Sequence, residues 1–234
     1  MKFLLSILLF IAAIAGMFLF LLLEPEIDAY YGLPLVIGGI GAIIIFSWAG
    51  LFRESVTTYV IFSIIIQTAY FVLDAGSAIL IGKPIWFAVL QAINFTIAGG
   101  LFMLVFALIY RTVKKENLVE YAGLYENNKF LVLALGISCL SLGGMAGFNI
   151  FVGEFLLYSF LFAIHPALAL SAIFAGLVCF LFYFRICYTL MVRKSKDKVD
   201  LPLIVKIVVV LLTGAVVILG IIPQILLRIL EVVT

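Results

Sequence analysis

A glycine-rich stretch that ends in an acidic residue is the part of this sequence best suited to chemistry. It lies within the apolar segment 130–164, which is about twice the roughly 20 residues that a helix needs to cross a hydrocarbon core. Four glycines interrupt this segment: Gly143, Gly144, Gly147 and Gly153. Glu154 follows directly, with no basic residue nearby in the sequence. The pattern predicts a membrane helix over 130–163 that is interrupted near its centre.

Glu154 is the candidate for binding and releasing an ion. A carboxylate at membrane depth costs several kcal/mol, so such residues are rare and often mark ion paths. Interrupted helices occur at that depth only where the freed backbone groups face protein or a cavity. The break and the acid together therefore indicate an ion path. The alternative is a glycine-rich packing kink, in which Glu154 is merely hydrogen-bonded to a neighbouring helix.

Polar side chains also form a line within the segment 55–75. They recur every three or four residues, which places them on one broad face of a helix. The residues in this line are Ser55, Tyr59, Ser63, Gln67, Tyr70 and Asp74. Such a line borders a hydrated path or forms hydrogen bonds between helices, and the sequence leaves both open. Ser55 and Asp74 are expected at the two membrane surfaces, in contact with water.

Further polar residues are scattered through the other apolar segments. Asn94, which shares a helix face with Gln91, is expected near a helix centre, where an amide needs a partner. It does not itself take up or release protons near neutral pH. Arg185 is expected to extend towards the membrane surface or to pair with an acid on a neighbouring helix or subunit, and Lys206 has the same two options. His165, the single histidine, is predicted to be a solvated turn residue rather than a relay.

The high hydrophobic content of the chain indicates that these residues lie on membrane-spanning helices. The chain has 234 residues, of which 67% are hydrophobic and 11% charged, with a mean hydropathy of +1.37. These values indicate an all-α polytopic membrane protein. The hydrophilic run 111–129 is too short for a separate domain, so 1–234 is predicted to be one membrane domain. Seven spans are predicted, at 4–23, 33–52, 55–75, 84–110, the interrupted 130–163, 166–192 and 202–224.

The distribution of basic residues predicts the orientation of the chain. Of the 14 Lys and Arg residues, ten fall in loops on the side of the N-terminus and two on the opposite side. The positive-inside rule therefore places the N-terminus in the cytoplasm and the C-terminus outside. The acidic loop 24–28, which lacks Lys and Arg, agrees with an outer position. The apolar run at the N-terminus is longer than that of a signal peptide and is interpreted as a retained first span.

The sequence argues against several other classes of function. It contains no phosphate-binding loop, no cluster of His and Cys ligands and no Ser/His/Asp combination. We therefore expect no metal, no cofactor, no nucleic-acid partner and no catalytic chemistry in this chain. Cys139, Cys179 and Cys187 all fall in spans and are predicted to be buried small hydrophobic residues.

The stretch around Glu154 resembles the antiporter-like membrane subunits of respiratory complex I, multisubunit cation/proton antiporters and energy-converting membrane-bound hydrogenases. Residues 144–155 align without a gap with the interrupted helix of the M-type subunit of complex I, and the block 151–155 is identical. Weaker matches occur in the same order along the chain. They are the loop 117–124, Gly100-Leu101-Phe102, Phe62-Ser63 with Gln67, and Arg185 after aromatic residues.

The resemblance implies an antiporter-like half-fold, because it covers only the second half of a full-length subunit. It assigns Glu154 to the family's central line of ionisable residues, which conducts protons, with Gln67, Asn94 and Arg185 as companions. The chain also departs from the family. Asn94 stands where the family has a histidine, Ala98 where some members have a lysine, and Ala146 where the break has a proline. The central lysine expected in the first span and the lysine at the start of the third are absent as well.

The sequence thus predicts a multi-pass subunit of the inner cell membrane. Its expected place is the membrane arm of an energy-converting oxidoreductase complex, hydrogenase-type or related to complex I, where it forms part of a proton or sodium path. Its expected partners are the lipid bilayer and other membrane subunits, including a chain that supplies the missing antiporter half. The alternatives are a structural subunit that seals the arm without conducting ions and, third, a stand-alone cation/proton antiporter.

Overall fold

The computed structural model describes residues 2–23, 27–82, 86–191, 199, 201–225 and 227–228, without the side chains of residues 2, 86 and 87. The α-helices within these ranges are α1 (Lys2–Leu23), α2 (Gly32–Leu51), α3 (Val56–Leu80), α4 (Trp86–Val113), α5 (Lys129–Leu142), α6 (Asn149–Ile164), α7 (Pro166–Met191) and α8 (Leu203–Ile221). Six of them are long and apolar enough to cross a membrane, and α5 and α6 are shorter apolar helices. Together α5 and α6 form the interrupted span, which confirms the predicted polytopic fold with one broken helix.

Helices α3 and α4 lie at the centre of the molecule. In the most apolar 18-residue stretch of each helix, 67% of the residues are buried in α3 and 61% in α4. The corresponding shares are 17% in α1 and 11% in α8. The outer helices therefore turn apolar side chains outward, which suits contact with lipid or with another membrane chain. Helix α2 lies close against α3, because a Cβ at Gly39 would approach the Leu73 Cβ to 2.8 Å. Small residues such as Gly39 allow helices to approach one another this closely.

The loop between α4 and α5 is fastened to the start of α3. The backbone N–H of Val56 donates to the Glu116 carbonyl, and that of Leu118 donates to the Glu54 carbonyl, both at 2.7 Å. Ser55 Oγ caps α3 by accepting the Thr58 N–H and donates to Glu116 Oε1 at 2.7 Å. Desolvation alone would raise the pKa of the Glu116 carboxyl, but hydrogen-bonding groups at the start of α3 and on Tyr110 hold that pKa below its usual range.

Several sequence expectations fall outside the described residues. They concern most of the acidic loop, at 24–26, Lys83, the basic loop residues at 193–198 and the end of the chain from residue 229. The orientation of the termini, which depends on these charges, stays a prediction. Below, the Glu116 side denotes the membrane face near the loop between α4 and α5, and the His165 side denotes the face where α6 ends.

Candidate functional site

The break between α5 and α6 is a turn that needs glycine. Gly144 has φ +72° and Gly147 has φ +94°, values in the left-handed region that a side chain disfavours. Gly143 ends α5 and donates its N–H to the Cys139 carbonyl at 2.9 Å. The prediction is wrong for Gly153, which lies inside α6. An added Cβ there would make only ordinary van der Waals contact with α4, 3.9 Å from the Asn94 amide nitrogen.

Side chains from other helices bind the polar groups that the break frees. The Leu142 carbonyl at the end of α5 has no helical N–H partner, and it accepts the Gln67 Nε2 donor from α3 at 3.0 Å. Ser141 Oγ donates to Asn149 Oδ1 across the break at 2.7 Å. Helix α8 touches the turn on one side, because a Cβ at Gly220 would collide with the Gly147 carbonyl. Protein groups thus bind the polar groups at the end of α5 and the start of α6, whereas Met145, Ala146 and Gly147 in the turn itself are exposed.

Gln67 lies at the centre of a buried hydrogen-bonded cluster. Its Oε1 accepts from Gln91 Nε2 of α4 at 2.8 Å, and its Nε2 also lies 3.3 Å from the Tyr183 hydroxyl of α7. That hydroxyl pairs with Ser63 Oγ at 2.7 Å. Hydrogen bonding between helices thus accounts for Ser63 and Gln67, which the sequence left open between bonding and hydration.

Asn94 has the buried partner that its position was predicted to need. Its Oδ1 accepts from Asn149 Nδ2, the first residue of α6, at 3.0 Å. The same Asn149 nitrogen lies 3.2 Å from the Asn94 backbone carbonyl. The Asn94 Nδ2 has no hydrogen-bond partner within the described residues. Asn94 therefore ties α4 to the start of α6 and keeps one free donor.

Glu154 lies directly against the break. Its side chain is 4% exposed, and Oε2 accepts the Tyr158 hydroxyl at 3.1 Å. A Cβ at Gly144 would collide with this Oε2, so the glycine turn leaves the room that the carboxylate occupies. Oε1 has no hydrogen-bond partner, and no basic side chain in the described part of the chain acts on the group. The acid is thus enclosed by protein and carries no countercharge.

Tyr70 and Asp74 continue this region along α3. Both are buried, at 1% and 4% exposure, and the Tyr70 hydroxyl and Asp74 Oδ1 have no hydrogen-bond partner among the described residues. A Cβ built at Gly176 of α7 would lie 2.6 Å from the Tyr158 hydroxyl and 3.4 Å from that of Tyr70, so both hydroxyls lie beside this glycine. The expected surface position of Asp74 is wrong, because α3 continues to Leu80 instead of ending at 75.

Arg185 occupies a position that the sequence did not predict. Its Cζ lies 5.8 Å from the centroid of the Tyr59 ring, a cation–π distance, and its Nη1 is buried without a partner in the described chain. His165 is exposed and accepts the Ala167 N–H at Nδ1, 3.2 Å away, near the start of α7. Lys206 is exposed as well. These basic residues therefore lie apart from Glu154.

Sequence reasoning missed several members of the site. Tyr158 had a usable signal, because it follows Glu154 by four residues and so shares its helix face. Asn149 and Ser141 flank the predicted break and were recognisable as polar residues next to freed backbone. Tyr183 had no such signal, since its contacts with Ser63 and Gln67 join residues more than a hundred positions apart.

The fold and the site together define a class. A bundle of membrane-spanning helices includes one interrupted helix, and a buried acid lies beside the interruption. The chain belongs to the family described as NADH:quinone oxidoreductase/Mrp antiporter, TM, which matches residues 2–180. The resemblance seen in the sequence is thereby confirmed.

Comparisons with individual proteins agree with this family. The NADH-quinone oxidoreductase subunit N of Bacillus anthracis is 33% identical over 145 residues, which cover 60% of this chain and 28% of that protein. A chain of respiratory complex I from Thermus thermophilus, solved with bound NADH, has a TM-score of 0.75 at 19% identity, covering 92% of this chain and 47% of that one. A chain of the Mrp complex from Dietzia sp. has a TM-score of 0.73 at 15% identity, covering 86% and 46%. The chain thus spans less than half of the proteins that it resembles.

Proposed function

We propose that this chain is a subunit of the membrane arm of an energy-converting complex, in which it forms part of a proton path. Glu154 is the acid that takes up and releases the proton. The observation that carries the proposal is the enclosure of this carboxyl against the Gly144 turn, with one free oxygen and no countercharge within the described chain. Such an acid exchanges protons in response to nearby charge, because its ionised form is poorly solvated.

The polar side chains of α3 supply the rest of the path. From the Glu116 side, the hydroxyls of Ser63 and Tyr183 lead to Gln67 at the level of the break. From there the hydroxyls of Tyr70 and Tyr158 lead to Glu154. Hydroxyl groups both donate and accept hydrogen bonds, so they can pass a proton and can order water molecules that do so.

A proton suits this site better than a sodium ion. The Tyr158 hydroxyl points its hydrogen at Glu154 Oε2, whereas a cation would need oxygen lone pairs directed at it.

The names of the relatives support a place within a larger complex. The Bacillus anthracis protein is a subunit of NADH-quinone oxidoreductase, and the similar chains of known structure come from respiratory complex I and an Mrp complex. We also propose that a companion membrane chain of the complex packs against the apolar outer faces of α1 and α8 and supplies further antiporter-like helices. The complex lies in the inner cell membrane, with the N-terminus of this chain in the cytoplasm.

Replacing Glu154 by Gln in the intact complex tests the proposal. The amide keeps the size of the side chain but cannot exchange a proton, so we expect coupled ion translocation in proteoliposomes to fall at least about tenfold. Glu126→Gln is the matched control, because Glu126 is exposed in the loop between α4 and α5. Normal assembly with unchanged translocation in the Glu154→Gln complex would refute the conduction role.

A structural subunit that seals the arm is the second candidate. It is favoured by the hydrogen bonds that already satisfy Ser63, Gln67 and Gln91, and by Ala98 at a position where some family members have a lysine. The same experiment separates the two candidates, because a sealing subunit needs no exchangeable proton at Glu154.

A further inference from the structure

We propose that the exposed turn between α5 and α6 is the binding site for a membrane-spanning helix of another subunit. At the depth of the turn, this helix presents a side-chain oxygen that accepts hydrogen bonds from the backbone N–H groups of Ala146 and Gly147. The inference rests on the proposed function only because it places this chain among other membrane subunits. It does not depend on proton exchange at Glu154.

The turn lies near the middle of the membrane. Gln67 is 11 residues from the start of α3 at Val56 and 13 from its end at Leu80, so it lies at the mid-depth of a helix long enough to span the bilayer. Its side chain donates to the Leu142 carbonyl at 3.0 Å. The exposed residues begin three positions later, at Met145. The turn is therefore surrounded by the hydrocarbon core and not by lipid headgroups.

The turn is open to the outside between its contacts with two helices. Before the turn, a Cβ at Gly143 would lie 3.2 Å from the Phe180 Cα of α7. After it, a Cβ at Gly220 of α8 would collide with the Gly147 carbonyl. Residues 145–147, which lie between these two contacts in the chain, are exposed. Neither α7 nor α8 covers them.

The exposed backbone has polar groups without partners. The N–H of Met145 donates to the Leu140 carbonyl at 3.0 Å, and the N–H of Phe148 donates to the Met145 carbonyl at 3.4 Å. The N–H groups of Ala146 and Gly147 donate no hydrogen bond to any described residue, and the Ala146 carbonyl accepts none. Lipid tails cannot bond such groups, and irregular backbone occurs at this depth only against protein or a water-filled cavity.

A protein helix suits this surface better than water. The turn is on the outer surface of the chain, so a water-filled cavity there would also need walls from another chain. The surrounding side chains are apolar: Met145 is exposed, as are Leu177 and Phe184, which lie one helical turn before and after Phe180 on α7. Apolar side chains around two free N–H groups match a helix that carries one polar side chain, because such side chains bond between membrane helices.

Photocrosslinking in the native membrane tests the site. p-Benzoylphenylalanine replaces Met145 in the tagged chain, the membranes are irradiated, and the adduct in the purified complex is identified by mass spectrometry. We expect an adduct with a membrane segment of another subunit, within about one helical turn of a side chain with an acceptor oxygen. The same probe in place of Ile45, an exposed residue of α2, is the control and should give no adduct with that segment.

Ala146→Trp tests whether the turn holds this subunit in place. The Ala146 side chain is exposed, so the larger residue leaves the packing of this chain intact but obstructs a helix that lies on the turn. We expect the amount of the crosslinked subunit that copurifies to fall at least about tenfold. Ile45→Trp is the matched control and should leave that amount unchanged. Equal amounts in the two variants would contradict the proposal.

Other results of the crosslinking would overturn the inference as well. Adducts with lipid alone would show that the turn faces the bilayer, and an adduct with a second copy of this chain would show a homomeric contact. A nitroxide attached to Met145→Cys in the assembled complex detects water through its collisions with a soluble nickel chelate. Frequent collisions would show a hydrated cavity in place of a helix.

The outcomes also separate this inference from the conduction role. If the turn contacts only lipid but Glu154→Gln stops translocation, the binding site is refuted and the conduction role stands. If the turn crosslinks to another subunit but Glu154→Gln leaves translocation unchanged, the binding site stands and the conduction role fails.

Discussion

Gly144 joins the helix break to the acid. Its positive φ lets the chain turn between α5 and α6, and its missing side chain leaves the space that Glu154 Oε2 occupies. One residue type thus serves two purposes, because glycine is the residue that combines a left-handed backbone with an absent Cβ. The turn and the carboxylate are therefore expected to respond together to substitution.

Gly144→Ala is expected to destabilise the protein and to impair translocation. The left-handed backbone costs a side chain about 1–2 kcal/mol, and the new Cβ displaces the Glu154 carboxylate. Thermal unfolding in lipid nanodiscs and proton uptake into proteoliposomes measure the two effects. Gly136→Ala is the control, since it lies in α5 with open space around its Cβ position and is expected to be neutral or stabilising by up to about 1 kcal/mol. Equal effects of the two substitutions would contradict this account.

The role of a single residue could be predicted from the sequence where its near neighbours in the chain indicate its surroundings. Glycines inside an apolar segment, followed by an acid without a basic neighbour, are visible without coordinates. The burial of Asp74 was not, because it depends on where α3 ends and on which helices cover that end. The contact of Arg185 with the Tyr59 ring was missed for the same reason, since the two residues meet only when α3 packs against α7.

Helix α3 organises the site because one of its faces meets several other helices. Ser63 contacts α7, and Gln67 contacts α4 and the end of α5. Further along, Tyr70 reaches the level of α6. The break in the α5–α6 span is tolerated because α3 provides the donor that its backbone needs. The hydrogen bonds of Ser55 with Thr58 and Glu116 fix the start of α3. They thereby fix the depth of its polar side chains in the membrane.

Glu116→Gln tests that attachment. A carboxyl whose folded pKa is lowered stabilises the fold above its unfolded pKa, and this contribution is lost as the pH falls through the folded value. We expect the variant to be less stable by about 1 kcal/mol or less at neutral pH, since the partly exposed group is screened by solvent. The difference should disappear as the pH falls below the ordinary value of 4.5. Denaturation at several pH values measures it.

The control for this prediction is Glu120→Gln, because Glu120 is exposed in the same loop. It should show no comparable pH dependence. A stability difference between Glu116→Gln and the wild type that persists at low pH would contradict the role assigned to the charge.

The spans themselves were predictable from apolar length, since each long helix, and α5 and α6 together, has to cross the same hydrocarbon thickness. Their ends were less so. Helix α3 ends five residues beyond the predicted 75, at Leu80, where the apolar signal gives no clear stop. Gly153 looked like part of the break because glycine destabilises a helix in isolation, but α6 begins at Asn149 and continues through Gly153.

The molecule as a whole presents largely apolar outer helices. Helices α1 and α8 are the least buried of the long ones, and the chain spans less than half of the chains of known structure that it resembles. The apolar outer faces of α1 and α8 suit contact with lipid or with another membrane chain.

Purification of the tagged chain from its native membrane tests whether it is bound to a companion chain. In a mild detergent, native mass spectrometry is expected to show this chain bound to other membrane subunits, one of them with antiporter-like helices. A homodimer that contains no other chain, and that exchanges cations for protons after reconstitution, would contradict this expectation and favour the stand-alone antiporter.

The contact between Gly220 and the turn has a mechanical consequence. Helix α8 touches the backbone at Gly147 with no side chain in between, while most of its surface faces outward. If an adjacent subunit moved α8, the movement would act directly on the turn between α5 and α6. The buried side chains of α3 and α4 would not have to move first. Under the proposed function, a subunit that binds α8 would act on the turn beside Glu154 through this backbone contact.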